Sequence, residues 1–235
     1  MTSEPRGPAI GVLTRYPERG RGKTRLAAAI GADAAYALAR AMLLDVCDAV
    51  RATALCHPTV FVEPAEAIDD TVELTGILDV RAQASGDIGA RMLAATASLA
   101  SDGYGPVILV GSDLPWLEPG RFHHALRALR RADVVFGPAA DGGYYLIGMH
   151  RPLAALFEGG AISWGGPSVL DASIAAARRV GLDYGLLPEG FDVDTAADLD
   201  RLRDELARRA IDGEALPRHT AEALEALDAL GLGGG

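Results

Sequence analysis

Short apolar runs alternate with longer amphipathic stretches along most of this chain. "AIGVLT" (9–14), "PTVFVE" (58–63), "ILDVRAQ" (77–83), "PVILVGSD" (106–113), "DVVFGPA" (133–139), "GYYLIGM" (143–149) and "DYGLLPE" (183–189) have strand length. Helix-like stretches lie between and after them at 32–52, 87–101, 120–132, 167–181 and 195–210. Runs of four to eight apolar residues fit strands buried on both faces, which need helices above and below. The alternation therefore predicts an α/β fold with a mostly parallel central sheet flanked by helices. No repeat or linker divides the chain. The expectation is one domain over 1–212 and a helical tail over 213–235, free to pack on the body or join a homodimer interface.

In such a sheet, ligands bind beyond the carboxyl ends of the strands. The first strand leads into "GRGKTRLA" (20–27), which holds Lys23, the only lysine among 22 Lys and Arg residues. The Gly-Lys-Thr suggests a Walker A loop. That motif requires a glycine five positions earlier, where this chain has Pro17. A broader reading survives. Arg15, Arg19, Arg21, Lys23 and Arg25 place five cations within eleven residues of a chain whose net charge is −10. Gly20 and Gly22 let backbone amides approach a ligand, and the helix that begins near Lys23 presents its positive end. Lys23 and Arg25 are thus candidate catalytic cations for a polyphosphate. Arg15, Gly22 and Thr24 are substrate-binding candidates in the same segment.

The acidic candidates also follow strands. Asp113 ends the clearest strand, where a carboxylate holds Mg²⁺ or starts a turn. In "FDVDTAADL", Asp192 and Asp194 alternate on an extended segment and share a face. Asp198 belongs to the cap of the helix that Thr195 opens. Asp113, Asp192 and Asp194 are the candidate ligands of Mg²⁺ (or Mn²⁺). In "GPAADGGYYLIG" (137–148), Asp141, Gly142, Gly143 and Tyr144 are substrate-binding candidates on what is also a plausible hairpin turn. The net charge argues against general nucleic-acid binding. No apolar run reaches the roughly 18 residues of a membrane span, and the first residues lack a signal-peptide pattern, so a cytoplasmic protein is expected. Cys47 and Cys56 form no Cys-x-x-Cys pair.

"KTRLAAAIG", "GDIGARM", "GSDLP", "GPAADGGYYLIG" and "DVDTAADL", in this order, resemble the glycosyltransferase-like family labelled selenodomain-associated transferase 1. The resemblance extends to about Leu202. It implies a GT-A type, Rossmann-like fold of the nucleotide-diphospho-sugar transferase superfamily. "KTRLA", the "DLP" turn and "DVDT" are also similar to the phosphoenolpyruvate and phospholactate guanylyltransferases. That likeness implies that Asp113, Asp192 and Asp194 bind metal. The "DT…DL" ending is similar to 3-deoxy-manno-octulosonate cytidylyltransferase. The resemblance further implies that Asp87 lies near the nucleobase or ribose and that Trp164 borders the acceptor pocket. Helix capping by Asp87 and plain packing by Trp164 are the competing readings. The guanylyltransferases lack "DGGYYLIG", and the first family commonly has lysine where this chain has Arg15.

Two enzyme readings follow, with a nucleotide and a small-molecule acceptor as partners. The first is transfer of a nucleotidyl group from a nucleoside triphosphate to a small phosphorylated acceptor. The second is transfer of a sugar from a nucleotide-sugar donor. The cationic loop and the paired aspartates tilt the balance to the first. A nucleotide-binding subunit without turnover is a third reading, disfavoured by three metal-ligand candidates.

Overall fold

A computed structural model describes residues 6–157 and 162–231. The described residues form seven strands: β1 (Ala9–Arg15), β2 (His57–Glu63), β3 (Val80–Ala82), β4 (Val107–Gly111), β5 (Val134–Pro138), β6 (Tyr144–Met149) and β7 (Tyr184–Leu186). They make one sheet in the order β3-β2-β1-β4-β6-β5-β7. β1 pairs in parallel with β2 and β4, β2 with β3, and β5 with β7. β6 runs antiparallel to both its neighbours. The sheet is mostly parallel, as the alternation predicts. β6 is reversed because only the short 139–143 turn separates it from β5, too few residues for a parallel crossover.

Among the described residues, eight α-helices cover the sheet: α1 (Thr24–Ile30), α2 (Ala32–Arg51), α3 (Ile68–Thr75), α4 (Ile88–Ser101), α5 (Pro119–Leu129), α6 (Val169–Arg179), α7 (Ala196–Asp212) and α8 (Arg218–Ala229). On one face Leu38, Met42, Val46, Phe122, Leu199 and Leu202 of α2, α5 and α7 pack on Ile10, Val12 and Ile108. On the other, Met92 and Leu99 of α4 and Ala176 and Ala177 of α6 pack on Leu109, Phe136 and Ile147. The strand residues of the two groups alternate, as the pleat requires. Cys47 is buried in the first group, and burial pushes its thiol up to about 12, so it is an unreactive core residue. Helix α3 was not expected from the sequence, which gives "IDDTVELT" a weak apolar pattern. The strands at 77–83 and 183–189 shrink to three residues each, as befits the sheet's two edges. No described helix is long and apolar enough to cross a membrane.

Helix α8 packs on the body through Leu224 and Leu227. It has no cap of its own. Asp45 of α2 serves instead: its buried carboxylate accepts from the backbone N–H groups of His219 (3.0 Å) and Thr220 (2.7 Å). These are amides of the first turn, which otherwise lack partners. Asp45→Ala should cost about 1–3 kcal/mol, the toll of stranding buried donors and losing a cap. Urea denaturation, with proteolysis localised to residues 213–231, checks this.

Candidate active site

Strand β1 ends at Arg15, and the chain turns through a bridge between Glu18 and Arg21 before entering α1. Lys23 sits just before α1 with φ 45° and ψ 37°, the left-handed region that residues other than glycine seldom occupy. From there its side chain runs inward and is only 10% exposed. The ammonium lies 2.9 Å from Asp113 Oδ2 and 2.6 Å from Asp194 Oδ1, and donates to the Val193 carbonyl at 2.7 Å. An ammonium has three N–H groups, and here three oxygens surround it. Burial pulls the Lys23 pKa down, but Asp113 and Asp194 outweigh it and the net shift is upward. Arg25 donates to the other oxygen of Asp194 at 3.1 Å.

The aspartates are held by backbone. Asp113 follows β4, and its carbonyl accepts from Val193 N–H at 3.0 Å. The 187–195 loop is tied to β5 and its turn: Leu187 N–H donates to Phe136, Gly190 N–H to Pro138 and Ala140 N–H to Gly190. Trp116 Nε1 donates to the Phe191 carbonyl at 2.7 Å. Val193 is fully buried, so Asp192 and Asp194 flank it on the open side. The loop ends in a capping box, in which Thr195 and Asp198 satisfy each other's amides. Asp198 Oδ2 also accepts from Asp194 N–H at 3.1 Å. Asp198 is structural, as expected.

Asp192 is the electrostatic outlier. Burial, then Asp113, Asp141 and Asp194, push its pKa to about 7, with Lys23 opposing. Asp194 borders two cavities. One, about 220 Å³, is lined by Arg15, Arg21, Gly22, Lys23 and Asp113. The other, about 190 Å³, is lined by Arg25, Asp141 and Asp192. Eight of the fourteen predicted residues line these two cavities, namely Arg15, Gly22, Lys23, Arg25, Asp113, Asp141, Asp192 and Asp194, and Tyr144 lines a third cavity that Asp192 also borders. A larger cavity of about 410 Å³ lies behind Phe191 and contains none of them.

The others are placed differently. Thr24 faces a small recess beside Tyr36. The Asp87 carboxylate caps α4 by accepting from Ala90 N–H at 2.8 Å. Gly142 has φ 90°, and a Cβ there would stand 1.8 Å from the Pro167 carbonyl oxygen. The close approach that this glycine permits is to the chain itself. Gly143 N–H donates to Asp141 Oδ1 at 2.9 Å within the same turn. Trp164 lies against Gly89 of α4, where a Cβ would come 2.3 Å from its ring. That packing accounts for the second glycine in "GDIGARM". Sequence reading missed the Val193 carbonyl, which carries no side-chain signal. It also missed Glu63 at the end of β2, which pairs with Arg91 and, at 3.8 Å, with Arg15.

One group among the described residues brings three ligand atoms within 4.8 Å: Asp45, Asp48 and His219, at the α2–α8 contact. It is outside the cleft, and its acids are engaged, Asp45 with α8 amides and Asp48 with Arg51. In the cleft, Asp113 and Asp194 are bridged by Lys23 instead.

Residues 43–166 match the family described as "Uncharacterized protein conserved in bacteria (DUF2064)". This chain belongs to that family. It is also 32% identical over 182 residues to a 2-phospho-L-lactate guanylyltransferase of Natronomonas pharaonis, across 75% of this chain and 77% of that one. A crystal structure from Desulfovibrio desulfuricans G20, provisionally assigned as a nucleotide-diphospho-sugar transferase, is 31% identical with a TM-score of 0.83 and covers 96% of both chains. The 4-diphosphocytidyl-2C-methyl-D-erythritol synthase of Anaerococcus prevotii shares the fold alone, at 11% identity, TM-score 0.57, and coverage of 85% of this chain and 96% of that one. These relatives place the family member described here among transferases, in agreement with the motifs.

The raised Asp192 pKa has a stability consequence. The folded chain holds this proton more tightly than the unfolded chain, whose value is about 3.9. The stability contribution is therefore full below pH 4 and is lost as the pH rises to about 7. Asp192→Asn should stabilise the protein at pH 8 by roughly 2 kcal/mol and give no advantage near pH 4. Urea midpoints in chelator across that range test the sign.

Proposed function

We propose that this chain transfers a nucleotidyl group from a nucleoside triphosphate to a small phosphorylated acceptor. The observation that carries the reading is the Lys23 ammonium set between Asp113 and Asp194, with a cationic loop on one side and the acidic cluster on the other. The name of the relative that is 32% identical supports it. The nucleotide's phosphates lie in the cavity of Arg15, Gly22 and Lys23, with Arg25 and Thr24 at its margin. Loop amides and cations position them. An acceptor phosphate oxygen attacks the α-phosphorus, a new P–O bond forms, and the bond to the β-phosphate bridging oxygen breaks to release pyrophosphate. Such a reaction needs positioning and charge stabilisation rather than a protein nucleophile.

A hard divalent cation would use one or two of Asp113, Asp192 and Asp194 together with the phosphates, since among the described residues the three do not gather their oxygens within 4.8 Å of one another. They offer only oxygens, and the raised Asp192 pKa marks a cluster short of positive charge. Mg²⁺ or Mn²⁺ held there would neutralise charge on the phosphates as the bond exchange proceeds. Lys23 keeps Asp113 and Asp194 in register for that role and supplies a compact, movable charge, where an arginine would supply a rigid fork.

Glycosyl transfer is the second reading, favoured by the assignment given to the relative from Desulfovibrio desulfuricans. In it Asp141 is the candidate base. Incubation with Mg²⁺, each nucleoside triphosphate and a panel of phosphorylated acids should release pyrophosphate. Release of a nucleoside diphosphate from a nucleotide sugar, with none of pyrophosphate, overturns the proposal. Asp113→Ala should lower turnover at least about 100-fold, the usual scale for losing a major electrostatic contact. Lys23→Arg should fall at least tenfold, and unchanged turnover would show that the lone lysine has no special role.

A further inference from the structure

The transfer reading says nothing of the acceptor beyond its phosphate. Next to Asp192, on the α4 face of the sheet, is an open cavity of about 180 Å³. Leu13 of β1, Leu109 of β4 and Ile147 of β6 form its sheet wall, and Ile88 and Met92 of α4 face them. The Tyr144 ring borders it too, but its hydroxyl is buried beside Ser173 of α6, so the cavity meets ring carbon. The Tyr145 hydroxyl is likewise turned away, donating to the Pro188 carbonyl at 3.1 Å. Among the described residues, Asp192 is the only charged one lining the cavity.

Two details separate this cavity from a packing gap. Ile88, in the first turn of α4, is 43% exposed where a polar residue would be free of cost. Gly111 leaves the floor open: a Cβ there would find no atom within 4 Å, and its backbone conformation is ordinary. Nothing local requires glycine at that place. The space it leaves adjoins Ser112 and Asp113.

A sugar or polyol seated here would leave its hydroxyls without partners, which costs more than its carbon surface returns. An apolar group gains from every methylene it removes from water. We propose that the acceptor carries an apolar body, a branched alkyl group or one small ring, which fills this cavity while its phosphate reaches the divalent cation that Asp192 would help to hold. The inference rests on the transfer reading for the phosphate and on the cavity alone for the body.

Calorimetry on the full chain with Mg²⁺ and methyl, isobutyl and phenyl phosphate tests it. Affinity should rise about fourfold per buried methylene, so isobutyl phosphate should bind at least tenfold tighter than methyl phosphate. Gly111→Val should cut the phenyl-to-methyl ratio at least fivefold by filling the floor. Ile88→Ser, at a half-exposed position that leaves the core intact, should lower the isobutyl-to-methyl ratio severalfold. A ratio near one in the native chain, or ratios that neither variant moves, overturns the assignment. Pyrophosphate release measured alongside keeps the two readings apart. Apolar selectivity in binding with no pyrophosphate from any acceptor supports the cavity and sinks nucleotidyl transfer. Pyrophosphate release without apolar selectivity sinks the cavity assignment alone.

Discussion

The Lys23 ammonium joins three parts of the chain that are far apart in sequence. Its own residue starts α1, Asp113 ends β4, and Val193 and Asp194 lie 170 and 171 positions away in the last loop. Withdrawing an ammonium from water is expensive, and a single carboxylate partner recovers it poorly. Here two carboxylates and a carbonyl surround it, and the net pKa shift is upward in spite of burial. The backbone of Lys23 is left-handed, a conformation glycine or asparagine would take more easily. Neither could reach the aspartates. A strained backbone at this position is thus the consequence of needing a long, singly charged side chain aimed at the carboxyl edge of the sheet.

That bridge explains the imbalance at Asp192. Two of the cleft's carboxylates share the lysine, and Arg25 adds its charge to Asp194. Asp192 has no such partner and faces Asp113, Asp141 and Asp194 from a mostly buried position. The reversed strand β6 contributes directly. The turn between β5 and β6 brings Asp141 beside the 190–194 loop, where Ala139 and Gly190 bridge. Because β5 runs parallel to β4, the chain leaves it at the carboxyl edge of the sheet, and the reversal of β6 keeps the whole 139–143 turn at that edge.

The strands, the long helices and the residues that follow strands were legible because each has a local signature. Asp113 ends an apolar run, and Thr195 with Asp198 spells a capping box three residues apart. What was not legible depends on distant partners. The Asp45 carboxylate caps a helix that starts more than 170 residues later. The Val193 carbonyl is a main-chain group, identical in every sequence. Gly142 looks like a glycine kept for a ligand, yet it makes room for the chain itself at Pro167, as Gly89 does at Trp164. A glycine in the sequence records only that something comes close, and at Gly142 the structure shows that neighbour to be the Pro167 carbonyl.

The cleft divides its work between two kinds of surface. Charge is concentrated on loops: Lys23 and Arg25 before and within α1, Asp113 after β4, and Asp192 and Asp194 before α7. These are locked by backbone hydrogen bonds and by one another, so a change in any of them disturbs the rest. The apolar cavity is built from side chains on β1, β4, β6 and α4 whose backbones belong to rigid elements. Leu13, Ile88 and Met92 can change size without moving Lys23 or its partners, because they share no hydrogen bond with them. Asp192 lines both the acidic and the apolar cavities and is where the two surfaces meet. In the proposed reading, an acceptor that spans this junction presents its phosphate to a divalent cation held on the acidic side and carbon to the other. Its chemistry is then fixed by the loops, and its identity is set by the strands.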